Sequence, residues 1–439
     1  MSTKITTSRR DFLRGSLAAG AGAALVTHLG VARAANAAGG EELKVVLIGC
    51  GGRGQGAIRD CMNADKGVKV VAVADAFEKT AKGAAESLRK EEGLAGRVDL
   101  PEDRVFSGLD AYKKAIACDC DMVIIATPPG FKPQQYAEAV KAGKHVFMEK
   151  PCCVDAPGYK SLVESNKIVD EKGLRVGIGL QRRHQKEYME TIKRIHDGAI
   201  GDITFLRAYW NGSGIWNRGR EPWMTEMQYQ VNNWYHFVWL SGDNICEQHV
   251  HNLDVCNWVK NDHPVEANGM GACIRRYIGD AKGTGQIFDE HFVEFTYKDG
   301  TKMFSQCRHM GGTWNNVSEA AHGTKGTSNC ANTIEAGEKW RFKGENPNPY
   351  VQEHIDLIAA IRKGEKYNEG WFGATSSFTA VLGRMATYSG KIVKWDEAVE
   401  QGADTFPKQL AWDAPAPVQK DADGNYPIAI PGVTDPYKG

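Results

Sequence analysis

Residues 43–56 read LKVVLIGCGGRGQG, and this stretch decides the fold. Its first part, Leu43 to Ile48, is an apolar run rich in β-branched side chains. Such a run predicts a strand buried on both faces, as in a parallel sheet. Gly49, Gly51 and Gly54 follow with the G-x-G-x-x-G spacing, Gly52 and Arg53 lie within it, and QGAIRDCM behind can form a helix. The spacing serves a tight turn, a backbone close enough to touch pyrophosphate, and a close helix–strand contact, with phosphates at the helix N-terminus. The motif gains weight from VKVVAVAD, residues 68–75, a second strand ending in Asp75. An acid about 20 residues past the glycines is placed to accept hydrogen bonds from ribose hydroxyls. No arginine follows Asp75 directly in AFEK, so NAD is expected as cofactor, with NADP as the alternative and Lys79 tempering the preference.

MVIIAT (residues 122–127) and HVFMEK (residues 145–150) read as two more buried strands, separated by the helix-like QQYAEAVKAG. Alternating strands and helices predict an α/β, doubly wound parallel sheet whose ligands bind at the carboxyl ends of the strands. Thr127, Pro128, Glu149 and Lys150 stand at such ends and join Gly49, Gly51, Gly52, Arg53, Gly54 and Asp75 as expected cofactor-binding residues.

The remaining composition narrows the classes. The chain has 439 residues, more than one hydrophobic core accommodates, which points to two domains. Lysines plus arginines equal aspartates plus glutamates at 54 each, so nothing in the charge balance favours nucleic acid or an anionic membrane surface. The 11 cysteines are scattered, without a CxxC pair, and read as free thiols rather than a disulfide framework or a metal site. At the N-terminus, SRRDFLRG (residues 8–15) precedes a mildly apolar, Ala/Gly-rich run that ends in Ala32-Arg33-Ala34. This is the pattern of a twin-arginine export signal, so residues 1–37 are set apart from the fold and a periplasmic destination is expected.

Several motifs in order resemble the glucose-fructose oxidoreductase, inositol dehydrogenase and rhizopine-catabolism family, Gfo/Idh/MocA. They are the glycine turn, VIIATPP, AGKHVFMEKP, GLQRRH, DGAIGDI, EQHVHNLD, HGTKGT and LGRMATYSGKIVKWDE, which together span about residues 44 to 396. The resemblance implies a Rossmann domain at 41–178, an α+β domain at 179–395 with an open, mostly antiparallel sheet and a late helix returning to the first domain, and a surface tail at 396–439. It also implies a homo-oligomer. Lys150 falls on the family lysine that touches the substrate hydroxyl and nicotinamide, His251 on the catalytic histidine, and Asp254 on a substrate contact; Glu247 stands where the family usually has aspartate. The chain departs from the family pattern at Pro129, Lys132 and His249.

The chemistry is consistent with those residue types. Removing a hydride from a secondary alcohol leaves a developing alkoxide, which needs a base for the proton and a cation for the oxygen. His251 serves as the base, Lys150 as the cation, and Glu247, one helical turn before the histidine, orients its ring. His249 and His251 point too far apart on a helix to share a metal, so none is expected. Arg183, Tyr235 and His236 are further substrate-contact candidates, the latter two within a Trp-rich segment whose other rings suit packing.

Function follows as an NAD(P)-dependent oxidoreductase acting on a sugar, glycoside or polyol. Free NAD is scarce outside the cytoplasm, so the cofactor is expected to travel bound and be regenerated in place. One alternative is a glycosidase working by oxidation, elimination, hydration and reduction. Another, of a different class, is a non-catalytic sugar-binding protein that keeps the fold.

Overall fold

The computed structural model describes residues 42–273 and 283–438; the expected export signal, 1–37, lies outside them. Strand β1 (Leu43–Ile48) is buried except at Lys44. It is flanked by β2 (Val68–Asp75), β3 (Val105–Ser107), β4 (Met122–Ile125), β5 (His145–Met148) and β6 (Arg175–Ile178). These pair in parallel in the order β6-β5-β4-β1-β2-β3, with Tyr367–Asn368 added beside β6.

Successive residues of a strand point to opposite faces, so one strand feeds two cores. Val46 and Ile48 join Val123 and Ile125 on one side, whereas Val45 and Leu47 join Met122 and Ile124 on the other. Each such side chain, fully buried, stabilises the fold by about 1.5–3 kcal/mol. The strand order reverses between β1 and β4, which opens a crevice at the carboxyl ends. Late in the chain, helix Pro349–Lys363 lays Leu357, Ile358 and Ile361 on the second of these cores. Asn348 caps its start by accepting from Tyr350 N at 3.0 Å, and Gly364, at φ +70°, ends it.

The second sheet holds β7 (Ile203–Gly212), β8 (Pro264–Ala272), β9 (Glu290–Tyr297), β10 (Lys302–His309), β11 (Asn316–Gly323), β12 (Thr327–Ser328), β13 (Thr333–Glu335) and β14 (Lys339–Arg341). With β15 being Tyr367–Asn368 of the first sheet, β16 (Val393–Lys394) completes the second, in the order β14-β13-β12-β11-β7-β10-β9-β8-β16. Its pairs are antiparallel except β7 with β10. The turn at Asp299-Gly300 joins β9 and β10 as an antiparallel hairpin, and Gly300 takes φ +85°. Burial alternates along β9, one face packing under helices Val250–Lys260 and Gly370–Ser389 through Leu206, Val293, Phe295 and Met303.

After helix Trp395–Gln401 the chain runs to Lys438 without regular structure. The eleven cysteines are free thiols, Cys118 and Cys273 half-buried and the others buried. No helix among the described residues is long and apolar enough to cross a membrane.

Candidate active site

The glycine turn sits at the mouth of the crevice. Gly49 has φ +91°, and a Cβ there would lie 2.6 Å from the Ala126 carbonyl carbon. On Gly54 a Cβ would fall 1.8 Å from Gly49 O, so only glycine lets the helix come this close to β1. A Cβ on Gly51 or Gly52 would meet nothing within 4 Å, which leaves open space over the first turn. Helix Gly52–Ala64 begins there without a side-chain cap, its terminal N–H groups available to an anion.

At the end of β2, Asp75 is pre-set by the backbone: Oδ2 accepts from Cys50 N at 2.8 Å and Oδ1 from Phe77 N at 2.9 Å. Burial raises its pKa, against those two N–H groups and the charge of Arg218. An open glycine turn, an uncapped helix end and a held carboxylate fit the pyrophosphate and ribose of a nicotinamide dinucleotide. The cleft they open onto has a volume of about 820 Å³ and runs from Gly51 and Asp75 to Lys150 and His251.

Lys150, directly after β5, donates through Nζ to Glu247 O at 2.5 Å and to Glu247 Oε1 at 3.1 Å. His251 is 8 % exposed, with Trp210 stacked at 5.9 Å between ring centroids. Its Nδ1 is buried without a partner, and the residue lines the cleft beside Lys150. Burial, followed by the cations Lys150 and Arg182, holds the imidazole well below its ordinary pKa of 6.5. The ring is therefore neutral at physiological pH and able to accept a proton.

Several expected roles change. Glu247 was expected to orient His251 from one turn earlier on a continuous helix, but the helix breaks: Asn244–Glu247 ends before Gln248, and Val250–Lys260 begins anew. The break lets His249 point into the core, where its Nε2 lies 2.7 Å from Ser305 Oγ and its Nδ1 3.2 Å from Asn252 Oδ1. Glu247 instead pairs with Lys150, and its Oε2 has no hydrogen-bond partner.

Asp254 and Arg183, expected at the substrate, turn to each other below the cleft. Arg183 Nε and Nη2 each reach an Asp254 oxygen at 2.9 Å, and Ser376 Oγ donates to the same carboxylate at 2.8 Å. Asp254 is 1 % exposed, and neither residue lines the cleft. Tyr235 and His236 also stand outside the lining: Tyr235 OH is 2.8 Å from His309 Nε2, and His236 Nε2 donates to Trp216 O at 2.9 Å. Replacing Asp254 by asparagine is expected to cost about 2–3 kcal/mol of stability, because a half-buried guanidinium loses its buried counter-charge. Urea denaturation should register that loss while kcat, measured on folded enzyme, stays near wild type; a substrate contact would give the reverse.

Arg53 lines the cleft, but its guanidinium is engaged by Glu149 Oε1 at 2.6 Å and Asp60 Oδ2 at 3.1 Å. Thr127 Oγ1 donates to Gln135 Oε1 at 2.6 Å, and Thr127 and Pro128 line the same wall.

Sequence reasoning undervalued three cations. Lys132, noted only as a departure from family pattern, is buried and donates to the carbonyls of Glu149, Lys150 and Pro151 at 2.7, 3.0 and 2.9 Å. Burial pulls its pKa down to about 8, yet the three acceptors give the ammonium a place, and they fix the backbone that carries Lys150. Arg182, rather than Arg183, lines the cleft and is held by Glu319. Arg218 reaches the cleft from the second domain, near Asp75, and no motif marks it.

Residues 43–180 match the family described as the oxidoreductase family GFO_IDH_MocA, NAD-binding Rossmann fold. These residues form an NAD-binding domain of the Gfo/Idh/MocA oxidoreductase family. The chain is thus an NAD(P)-dependent oxidoreductase. Residues 6–26 match a twin-arginine translocation signal sequence, which supports export by that route. Among relatives, inositol 2-dehydrogenase of Rhizobium meliloti (strain 1021) is 26% identical over 316 residues, covering 69% of this chain and 83% of the relative. A glycosyl hydrolase family 109 protein of Solibacter usitatus is 23% identical over 451 residues, covering 98% and 97%. The structure of scyllo-inositol dehydrogenase from Lactobacillus casei with bound NAD(H) and scyllo-inositol shares the fold at a TM-score of 0.60, with 19% identity over 81% of this chain and 99% of that one.

Proposed function

We propose that this oxidoreductase removes a hydride from a secondary hydroxyl of a polyol, sugar or glycoside in the periplasm, with NAD held through successive turnovers. The observation that carries the reading is the meeting of Lys150 and His251 in the cleft that begins at Gly51 and Asp75. A bound nicotinamide supplies the hydride acceptor. Neutral His251 takes the hydroxyl proton, and the Lys150 ammonium stabilises the developing negative charge on oxygen. Glu247 fixes the Lys150 ammonium, Lys132 fixes the backbone around it, and Arg53, Glu149, Thr127 and Pro128 shape the wall at the strand ends.

Retention is supported by the way the adenosine end is covered. Trp216, Arg218 and Trp223, on the segment after β7, line the cleft together with Asp75, and Met224, Trp234, Phe77 and Leu109 pack against one hydrophobic cluster. The tail lies over that segment: Trp412 meets Phe77 at 5.2 Å between centroids, and Thr225 Oγ1 donates to Trp412 O at 2.6 Å. A dinucleotide lying against these residues would have part of its surface shielded from water. Such an enzyme turns over without exchange if each oxidation is followed by a reduction on the same cofactor.

The relatives suggest inositols as substrates, and the family 109 relative suggests a glycoside cleaved through the same oxidation. The test is to incubate the purified enzyme, without added cofactor, with inositols, paired aldoses and aryl glycosides. Aglycone release selects the glycosidase branch, and an oxidised product formed together with a reduced one selects the coupled branch. No turnover of any of these, with or without added NAD(P), contradicts the proposal.

A further inference from the structure

A second cavity, of about 720 Å³, lies apart from the dinucleotide cleft, between helix Gly370–Ser389, the Val238–Trp239 turn and the C-terminal tail. Its walls combine apolar side chains, Trp239, Phe406, Pro417, Val418 and Ile428 among them, with polar and charged ones. The tail is pinned around it. Thr405 donates from N and Oγ1 to Asp155 Oδ2 at 3.0 and 2.7 Å, Tyr426 OH to Glu226 Oε1 at 2.5 Å, and Gly432 N to Ser389 O at 2.8 Å.

Arg384 lines this cavity and is only 6 % exposed. Its Nη1 donates to Gly242 O at 3.3 Å, and it has no other hydrogen bond and no ion pair among the described residues. Arginine keeps its charge at any pH a folded protein meets. A guanidinium taken out of water needs acceptors for its remaining N–H groups and an anion for its charge. The nearby charges have other partners: Asp243 Oδ2 accepts from Phe288 N at 2.8 Å and Tyr388 OH at 2.6 Å and faces His291, Asp435 is paired with Lys438 at 3.5 Å, Asp404 accepts from Phe406 N at 3.0 Å, and Lys408 adds a further cation. The volume is that of a small-molecule site, and apolar walls with a few convergent polar groups are the usual form of such sites.

We propose that this cavity binds a small carboxylate with an apolar body, the carboxylate on Arg384 and the body against Trp239, Phe406 and the tail prolines. The inference does not rest on the oxidoreductase reading. It is tested by calorimetric titration of the mature protein, saturated with NAD, with benzoate and hexanoate, using benzamide and hexanamide as uncharged matches. The carboxylates are expected to bind saturably and at least about tenfold tighter than the amides, with R384Q removing that difference. Should R384Q fold poorly, I428W, which fills the cavity from the tail side with Arg384 intact, is expected to abolish binding. No saturable binding, equal binding of amides, binding that survives both variants, or binding that NAD(P) displaces overturns the proposal.

Discussion

Replacing Lys150 by methionine is expected to lower kcat about a thousandfold while changing NAD(P) affinity no more than a few-fold. The change keeps the side chain as far as its ε position and deletes the ammonium that Glu247 holds in position through two hydrogen bonds. A thousandfold loss is about 4 kcal/mol of transition-state stabilisation, the scale set by removing one pre-oriented donor from an oxyanion site. Stopped-flow absorbance of the bound cofactor, after mixing with substrate, reads the hydride step alone. The variant also strands a buried carboxylate, so its melting temperature should fall. A rate within tenfold of wild type would remove Lys150 from the chemistry.

The second large effect is at His251. Substitution by asparagine is expected to lower kcat/KM by 10²- to 10⁴-fold, the usual worth of a positioned general base. Its signature is the pH profile. Burial and the neighbouring cations hold the wild-type imidazole below 6.5, so it is unprotonated from neutrality down past that pH. The wild-type rate should therefore be level above pH 6.5 and fall only at more acidic pH, where the ring takes up a proton. His251→Asn should lose that acidic limb along with the rate. A limb retained in the variant would assign it to another group.

The first domain was legible because local rules and tertiary structure demand the same thing there. The apolar run of β1, the glycines at 49 and 54, and Asp75 at the end of β2 each satisfy a constraint set within a few residues. EQHVHNLD misled because helical periodicity cannot see a partner on another element. The helix breaks at His249, which packs against Ser305, and with its continuity goes the expected contact between Glu247 and His251. Asp254 and Arg183 were each expected at the substrate, but whether a charge faces a ligand or another charge depends on packing of distant segments. Lys132 shows the same limit: its place in the sequence marks a departure from a pattern, and only the fold brings three carbonyls around it. The covering of the adenosine end was the least legible part, since Arg218 and Trp412 come from segments with no motif of their own.

We propose that a dinucleotide is carried out of the cytoplasm inside the folded enzyme. The most direct measurement is to purify the mature protein from the exported fraction, denature it, and identify released nicotinamide nucleotide by mass spectrometry. The expected result is NAD in an amount close to that of the protein. Finding no nucleotide, together with no binding of added NAD or NADP, would contradict it.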